Sequence, residues 1–160
     1  MYKTIEELVT RVDERNNDGI VSELIGVSID KCFIKSVANT NGTDLSKYKI
    51  IRKNDFAVSL MQVSRDGKIP VARLEEYEEA IMSPAYPIFR VKDNNLCKLK
   101  YLYYWMYSES FYSQVRRNVK GASQVNLNTG WLKNFRLPLY SLATQAEIVQ
   151  KLEEVDRLIT

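Results

Sequence analysis

The 160-residue sequence contains no histidine, and this removes whole chemistries. Catalytic triads, cysteine–histidine nucleophiles, histidine zinc sites and imidazole general bases all need the ring. Carboxylate, lysine and tyrosine chemistry remain. Asp66-Gly67-Lys68 has the form of half a metal-dependent nuclease site, in which carboxylates hold a divalent ion and a lysine assists the attacking water. Asp55 could supply the second carboxylate. The Asp-Gly pair is also what a tight hairpin turn demands of its backbone, and that reading is preferred. The glycines at 19, 26, 42, 67, 121 and 130 are scattered, so no phosphate-cradling loop is present. No Asn-Pro-Pro or Asp-Pro-Pro motif of amino-methyltransferases occurs. Cys32 and Cys97 lie far apart without a CxxC pair, which argues against a zinc module or a stapled fold and for reduced thiols. No catalytic or metal-ligating residue is assigned.

Binding chemistry is better represented. The net charge is only +3, but its distribution is uneven. Residues 1–30 carry three cations and seven carboxylates, 31–73 nine and three, 74–115 four and six, 116–136 five and none, and 137–160 two and four. Two basic blocks thus alternate with three acidic ones. Each lysine or arginine that replaces a counterion on a phosphate adds salt-dependent affinity. Arg116, Arg117 and Lys120 fall near a helix C-terminus, where cations also complement the helix dipole. With Ser123, Gln124 and Asn126 just beyond, they could grip phosphate and read bases, because amides pair with adenine and cations with guanine or phosphate. The aromatic cluster of Tyr101, Tyr103, Tyr104, Trp105, Tyr107, Phe111 and Tyr112 is assigned to core packing or an interface rather than to base stacking.

The elements that must position these groups follow from periodicity. Hydrophobic residues make up 45% and charged residues 27%, enough apolar material for one globular domain and too little chain for two. The longest apolar stretches, such as Ala57 to Met61, are too short to cross a bilayer, and the N-terminus lacks a secretory pattern. A cytoplasmic protein is expected. Thr4-Ile5-Glu6-Glu7 is a capping box, and Ile5, Leu8, Val9 and Val12 continue at helical spacing. Asn16-Asn17-Asp18-Gly19 is a turn, and Leu24 to Ile29 reads as a strand. Residues 39–44 form a polar loop before a strand at Tyr48 to Ile51. Phe56 to Val63 and Ile69 to Leu74 are the arms of a hairpin with a basic tip at residues 64–68. Pro70 places its returning arm at a sheet edge or bulge.

Glu75 to Glu79 is read as an acidic surface run, followed by Ser83-Pro84 and a strand from Ile88 to Val91. Lys98 to Tyr107 and Ser110 to Asn118 are helical, with a break near Ser108 and a stop at Gly121. Residues 124–128 alternate polar with apolar, Trp131, Phe135 and Leu137 are core anchors, and Pro138 is taken to end the globular part. Thr144-Gln145-Ala146-Glu147 is a second capping box. It opens a stripe of Gln145, Ile148, Leu152, Val155 and Ile159 at coiled-coil spacing, too short to be stable alone.

Taken in order, several segments resemble the target-recognition domain of type I restriction-modification specificity subunits. They are Val27-Ser28-Ile29, Phe33-Ile34, Ser36 to Asn39, Asp44 to Ile51, Phe56-Ala57, Leu60 to Asp66, Ile69 to Ala72 and Ser83 to Tyr86. The Tyr101-Leu102 helix, Gly121-Ala122-Ser123 and Leu137-Pro138-Leu139 before Gln145 continue the match, so the resemblance covers nearly the whole chain. It implies an α/β (α+β) fold: a compact target-recognition domain with a mixed, partly antiparallel sheet and flanking helices over residues 1–140, then the start of a coiled-coil spacer helix over 141–160. It also implies a non-catalytic subunit that selects the DNA sequence for methyltransferase and motor-nuclease partners.

Complete members of that family carry two such domains joined by two long helices, each reading half of a split target. Only one domain and the start of one helix are present here, so a half-subunit or a truncated form is expected. Pairing with a second copy of itself or with the other half of the subunit would rebuild the whole. Gln124 follows Ser123 where the family often has arginine, which suits a different target. The expected duplex contacts are Lys35, Asn39, Gln62, Arg65, Lys68, Arg116, Lys120, Ser123, Gln124 and Asn126. The expected docking residues are Ile148, Leu152, Val155 and Ile159. S-adenosylmethionine, ATP and magnesium belong to the partner subunits, with no cofactor in this chain and no membrane. The alternatives are a small nuclease centred on Asp66 and Lys68, and an assembly module without DNA binding.

Overall fold

A computed structural model gives the fold over residues 1–28, 32–36, 42–59, 68–119 and 132–159. The chain opens with β1 (Tyr2–Thr4) and a single helical turn, α1 (Ile5–Leu8). The capping box is real: the Thr4 hydroxyl accepts from the Glu7 amide, and the Glu7 carboxylate accepts from the Thr4 amide at 2.8 Å. The expected continuation to Val12 does not form. Instead the chain straightens at Val9 into β2 (Val9–Val12), which pairs antiparallel with β9 (Ile88–Val91) in the register Val9↔Val91 to Val12↔Ile88. Four helical residues cannot compete with a ladder that satisfies the same backbone groups and seats β-branched valines on a sheet.

The remaining strands are β3 (Ile25–Val27), β4 (Phe33–Lys35), β5 (Lys49–Arg52), β6 (Phe56–Val58), β7 (Val71–Arg73), β8 (Glu79–Met82) and β10 (Arg136–Pro138). The principal sheet has the order β2-β9-β6-β7, and three two-stranded ladders, β3-β4, β5-β8 and β1-β10, complete the set. All named pairs are antiparallel, and a parallel bridge at Leu24↔Ile81 joins β3 to β8. β8 was hidden by the acidic run, since Glu79 at its start carries a charge where a strand pattern was sought. The expected hairpin exists as its stem, Phe56↔Arg73 through Val58↔Val71. β7 is the sheet edge that Pro70 required. At the Asn16 turn, Gly19 takes φ +68°, which its missing Cβ permits.

Among the described residues three further α-helices, α2 (Leu99–Trp105), α3 (Glu109–Val119) and α4 (Leu142–Ile159), cover one face of the sheet. Alternation along the strands divides the apolar residues between two cores. Phe56, Val58, Val71 and Phe89 point toward the helices and meet Leu102, Trp105, Phe111, Val115, Phe135 and Leu137. Ala57, Ala72 and Ile88 point the other way, to Ile25, Ile51, Leu74 and Met82. The aromatic cluster splits as its period predicts. Tyr101, Trp105 and Phe111 are buried, with Phe111 edge-on to Trp105 at 5.3 Å and to Phe135 at 5.7 Å. Ser108 breaks α2 from α3 and caps the latter, its hydroxyl accepting from the Phe111 amide.

Pro138 does not end the packed region, because Leu139, Gln145 and Val149 beyond it are all buried. α4 also starts one turn before the expected capping box: Ser141 precedes its first residue and accepts from the Thr144 amide at 3.2 Å. The Asp66-Gly67 turn, the Gly121 stop, the alternation at 124–128 and Trp131 lie outside the described residues. Among the described residues no helix is long and apolar enough to cross a membrane.

Candidate nucleic-acid interface

Seven of the ten expected DNA contacts, Asn39, Gln62, Arg65, Lys120, Ser123, Gln124 and Asn126, fall outside the described residues. The structure defines the framework around them. Segment 60–67 leaves the β6–β7 stem after Ser59, whose amide donates to the Pro70 carbonyl at 2.9 Å. Lys68, at the foot of that stem, is exposed and holds its ammonium 5.9 Å from the centre of the Tyr112 ring on α3. Arg116 lies one turn along α3 on the same face as Tyr112. Residues from both basic blocks, far apart in sequence, therefore meet at α3. Lys35 is exposed on β4, and Cys32 just before that strand is close enough to Tyr103 and Tyr107 to help raise their hydroxyl pKa values, after burial as the main cause. Tyr107 in turn feels Tyr112. The β3–β4 ladder and the hairpin foot thus approach the same aromatic strip.

The charge blocks are partly neutralised where they fold. Arg52 bonds Glu14 at 2.7 Å and Glu79 at 3.0 Å, Lys53 bonds Glu78 at 3.4 Å, and Arg73 bonds Glu75 at 2.5 Å. The Arg52 guanidinium holds the Glu14 carboxyl below its usual range. Lys49 is buried, donates to the Tyr86 carbonyl at 3.0 Å, and has its pKa lowered first by burial and then by Arg11. The acidic run Glu75 to Glu79 therefore pairs with three of the nine cations of the first basic block. Arg116 also has a local partner in Glu109, whose carboxyl it holds below the ordinary value.

The second carboxylate of the nuclease alternative is committed elsewhere. Asp55 is 1% exposed and accepts from Arg90 Nε at 2.7 Å, from Arg90 Nη2 at 2.9 Å and from the Arg52 amide at 3.0 Å. A carboxylate so engaged bridges a turn to a strand and has little capacity left for a metal ion. Among the described residues no three Cys, Asp or Glu side chains gather to hold one.

A second polar surface on α3 was not anticipated. Ser110, Gln114, Arg117 and Asn118 face Tyr2, Asn134, Phe135 and Arg136 across an open cleft of about 790 Å³. The helical period separates Arg117 from its neighbour Arg116 by about 100°, so the pair read as one cluster serves two faces. The run of five cations without a carboxylate at 116–136 was the available signal. The pairing of Thr4 with Arg136, which builds the far wall, left none.

α4 divides its apolar stripe. Gln145 is fully buried, donating to the Leu96 and Tyr140 carbonyls at 3.0 and 2.8 Å and accepting from the Lys98 amide at 2.8 Å. It fastens α4 to the chain entering α2 and is not a coiled-coil position. Ile148 packs against the helix-side core, so of the four expected docking residues it is engaged internally. Leu152, Val155 and Ile159 are 38%, 49% and 78% exposed, and Leu158 joins them at 87%. Lys100–Glu153 at 2.7 Å and Tyr104 to Asp156 at 2.9 Å hold α4 against α2.

An α/β domain with exposed cations around α3 and an outward apolar helix end is the class this arrangement defines. Residues 12–160 match the type I restriction modification DNA specificity domain, and the chain belongs to that family. It is 27% identical over 136 residues to the type I restriction enzyme MjaVIII specificity subunit of Methanocaldococcus jannaschii, covering 83% of this chain and 32% of that protein. The chain thus spans about a third of that relative's length. Two solved structures share the fold. The S subunit of a type I restriction-modification system from M. genitalium superposes with a TM-score of 0.63 at 17% identity, over 98% of this chain and 39% of that one. The HsdS subunit from Thermoanaerobacter tengcongensis gives 0.60 at 17%, over 99% and 37%.

Proposed function

We propose that this chain is a non-catalytic DNA-reading module of a type I restriction-modification complex, binding one half of a split duplex target and docking methyltransferase subunits. Membership of the DNA specificity family over residues 12–160 carries this reading. The meeting of Lys68, Tyr112 and Arg116 between segments 60–67 and 120–131 supports it, because cations at the root of two connecting segments can anchor a duplex while the segments reach its bases. The exposed end of α4 is the docking surface, open to a methyltransferase subunit, a second copy or the other half of the subunit. S-adenosylmethionine, ATP and magnesium act on the partner subunits, and the complex works in the cytoplasm.

The test is to co-express the protein with a type I methyltransferase subunit and to select bound duplexes from a random pool. Enrichment of one motif, with Lys68→Ala and Arg116→Ala weakening binding, is expected. A complex that forms and enriches nothing would favour a pure assembly module. Cleavage by the isolated chain with magnesium would favour the nuclease.

A further inference from the structure

The cleft on the other face of α3 is lined by two arginines, Arg117 and Arg136, with amide, hydroxyl and aromatic side chains, and no carboxylate is among its described lining residues. Neither arginine forms an ion pair with a described residue. Both are nevertheless anchored. The Gln114 amide acts as a substitute strand for β10: its Oε1 accepts from the Arg136 amide and its Nε2 donates to the Arg136 carbonyl, both at 2.8 Å. β1 pairs along the opposite edge, at Thr4↔Arg136. The Arg136 backbone is therefore held from both sides, and its guanidinium lies 5.6 Å from the centre of the Tyr2 ring. Arg117 donates through Nε to the Ser113 carbonyl at 3.4 Å, which leaves its terminal amino groups for a ligand.

Two arginines lining one open cleft with no described carboxylate suit an oxyanion with several acceptor atoms. Asn118 and Asn134 on the cleft rim flank, in sequence, the segment 120–131 that carries Lys120, Ser123, Gln124 and Asn126. On the DNA-binding reading, the oxyanion with several acceptor atoms that this protein meets is a backbone phosphodiester. We infer that Arg117 and Arg136 grip a phosphodiester of the bound duplex beside the base-reading segment, with Gln114 positioning Arg136. Such a contact fixes register and carries no sequence information. The inference rests on the DNA-binding reading above.

The test measures fluorescence anisotropy of two random duplexes of unrelated sequence, titrated with salt, for the unaltered protein and the R117Q/R136Q variant. Lys53→Gln removes an exposed, Glu78-paired cation elsewhere and serves as the control, and thermal melts establish that each variant is folded. The expected result is a shallower dependence of log affinity on log salt for the double variant, by roughly 1, equal on both duplexes and absent in the control. Unchanged affinity and slope in the folded double variant, or a loss confined to one duplex, overturns the phosphate assignment while the protein still binds DNA. Failure of the unaltered protein to bind either duplex at low salt removes the DNA-binding reading itself, and this inference with it.

Discussion

Asp55 shows why a residue type in isolation misleads. As a carboxylate ten residues before Asp66-Gly67-Lys68 it suggested a metal site, yet it folds into a buried brace between Arg90 and the Arg52 amide. Asp55→Ala should lower stability by about 2 kcal/mol, because it leaves the Arg52 amide without its acceptor and removes the half-exposed Arg90 pair, and urea denaturation would show this as a reduced midpoint. Burial raises the Cys97 thiol to about 11, so at pH 8 it stays protonated and unreactive. Cys32 is exposed. Iodoacetamide at pH 8 should label about one thiol per folded chain and both after unfolding, with Cys97 in the native protein gaining reactivity only near pH 11. Rapid labelling of both thiols at pH 8 would contradict the burial. Lys68 and Arg116 stand beside turn and helix-end signals, which are local features of the sequence, whereas Arg136 depends on a pairing with Thr4 across the whole chain.

Elements were legible where their signals were local. The Thr4 capping box, the β6–β7 stem, the Ser108 break and the two helices around it all depend on residues within a few positions of each other. The failures came from tertiary competition. Val9 to Val12 has helical spacing but joins β9, and Glu79 to Met82 begins with a charge that Arg52 neutralises inside the fold. The stripe on α4 combined two duties that spacing could not separate. Gln145→Met would leave three backbone groups without their partner and should destabilise by about 2 to 4 kcal/mol, lowering the thermal midpoint. At the far end, Val155→Lys with Ile159→Lys touches no core residue, so stability should stay within about 0.5 kcal/mol. The same pair should abolish copurification with a methyltransferase subunit. Loss of stability without loss of the partner would assign that end of α4 to the chain's own core.

For the whole molecule, charge distribution matters more than the net value of +3. The fold pairs Arg52, Lys53 and Arg73 with the acidic run that follows them in sequence. It also brings Lys68, Arg116, Arg117 and Arg136 to opposite faces of one helix, next to segments 60–67 and 120–131. Among the described residues no three Cys, Asp or Glu side chains gather as metal ligands. The proposal that the chain directs an enzyme supplied by partner subunits rests on its membership of the DNA specificity family. The most direct measurement is methylation mapping of DNA from cells that express a type I methyltransferase subunit with and without this chain. Methylation at a single defined motif, present only when the chain is present, is the expected result. An identical pattern in both cells, or methylation without sequence preference, would contradict the claim that this protein selects the site.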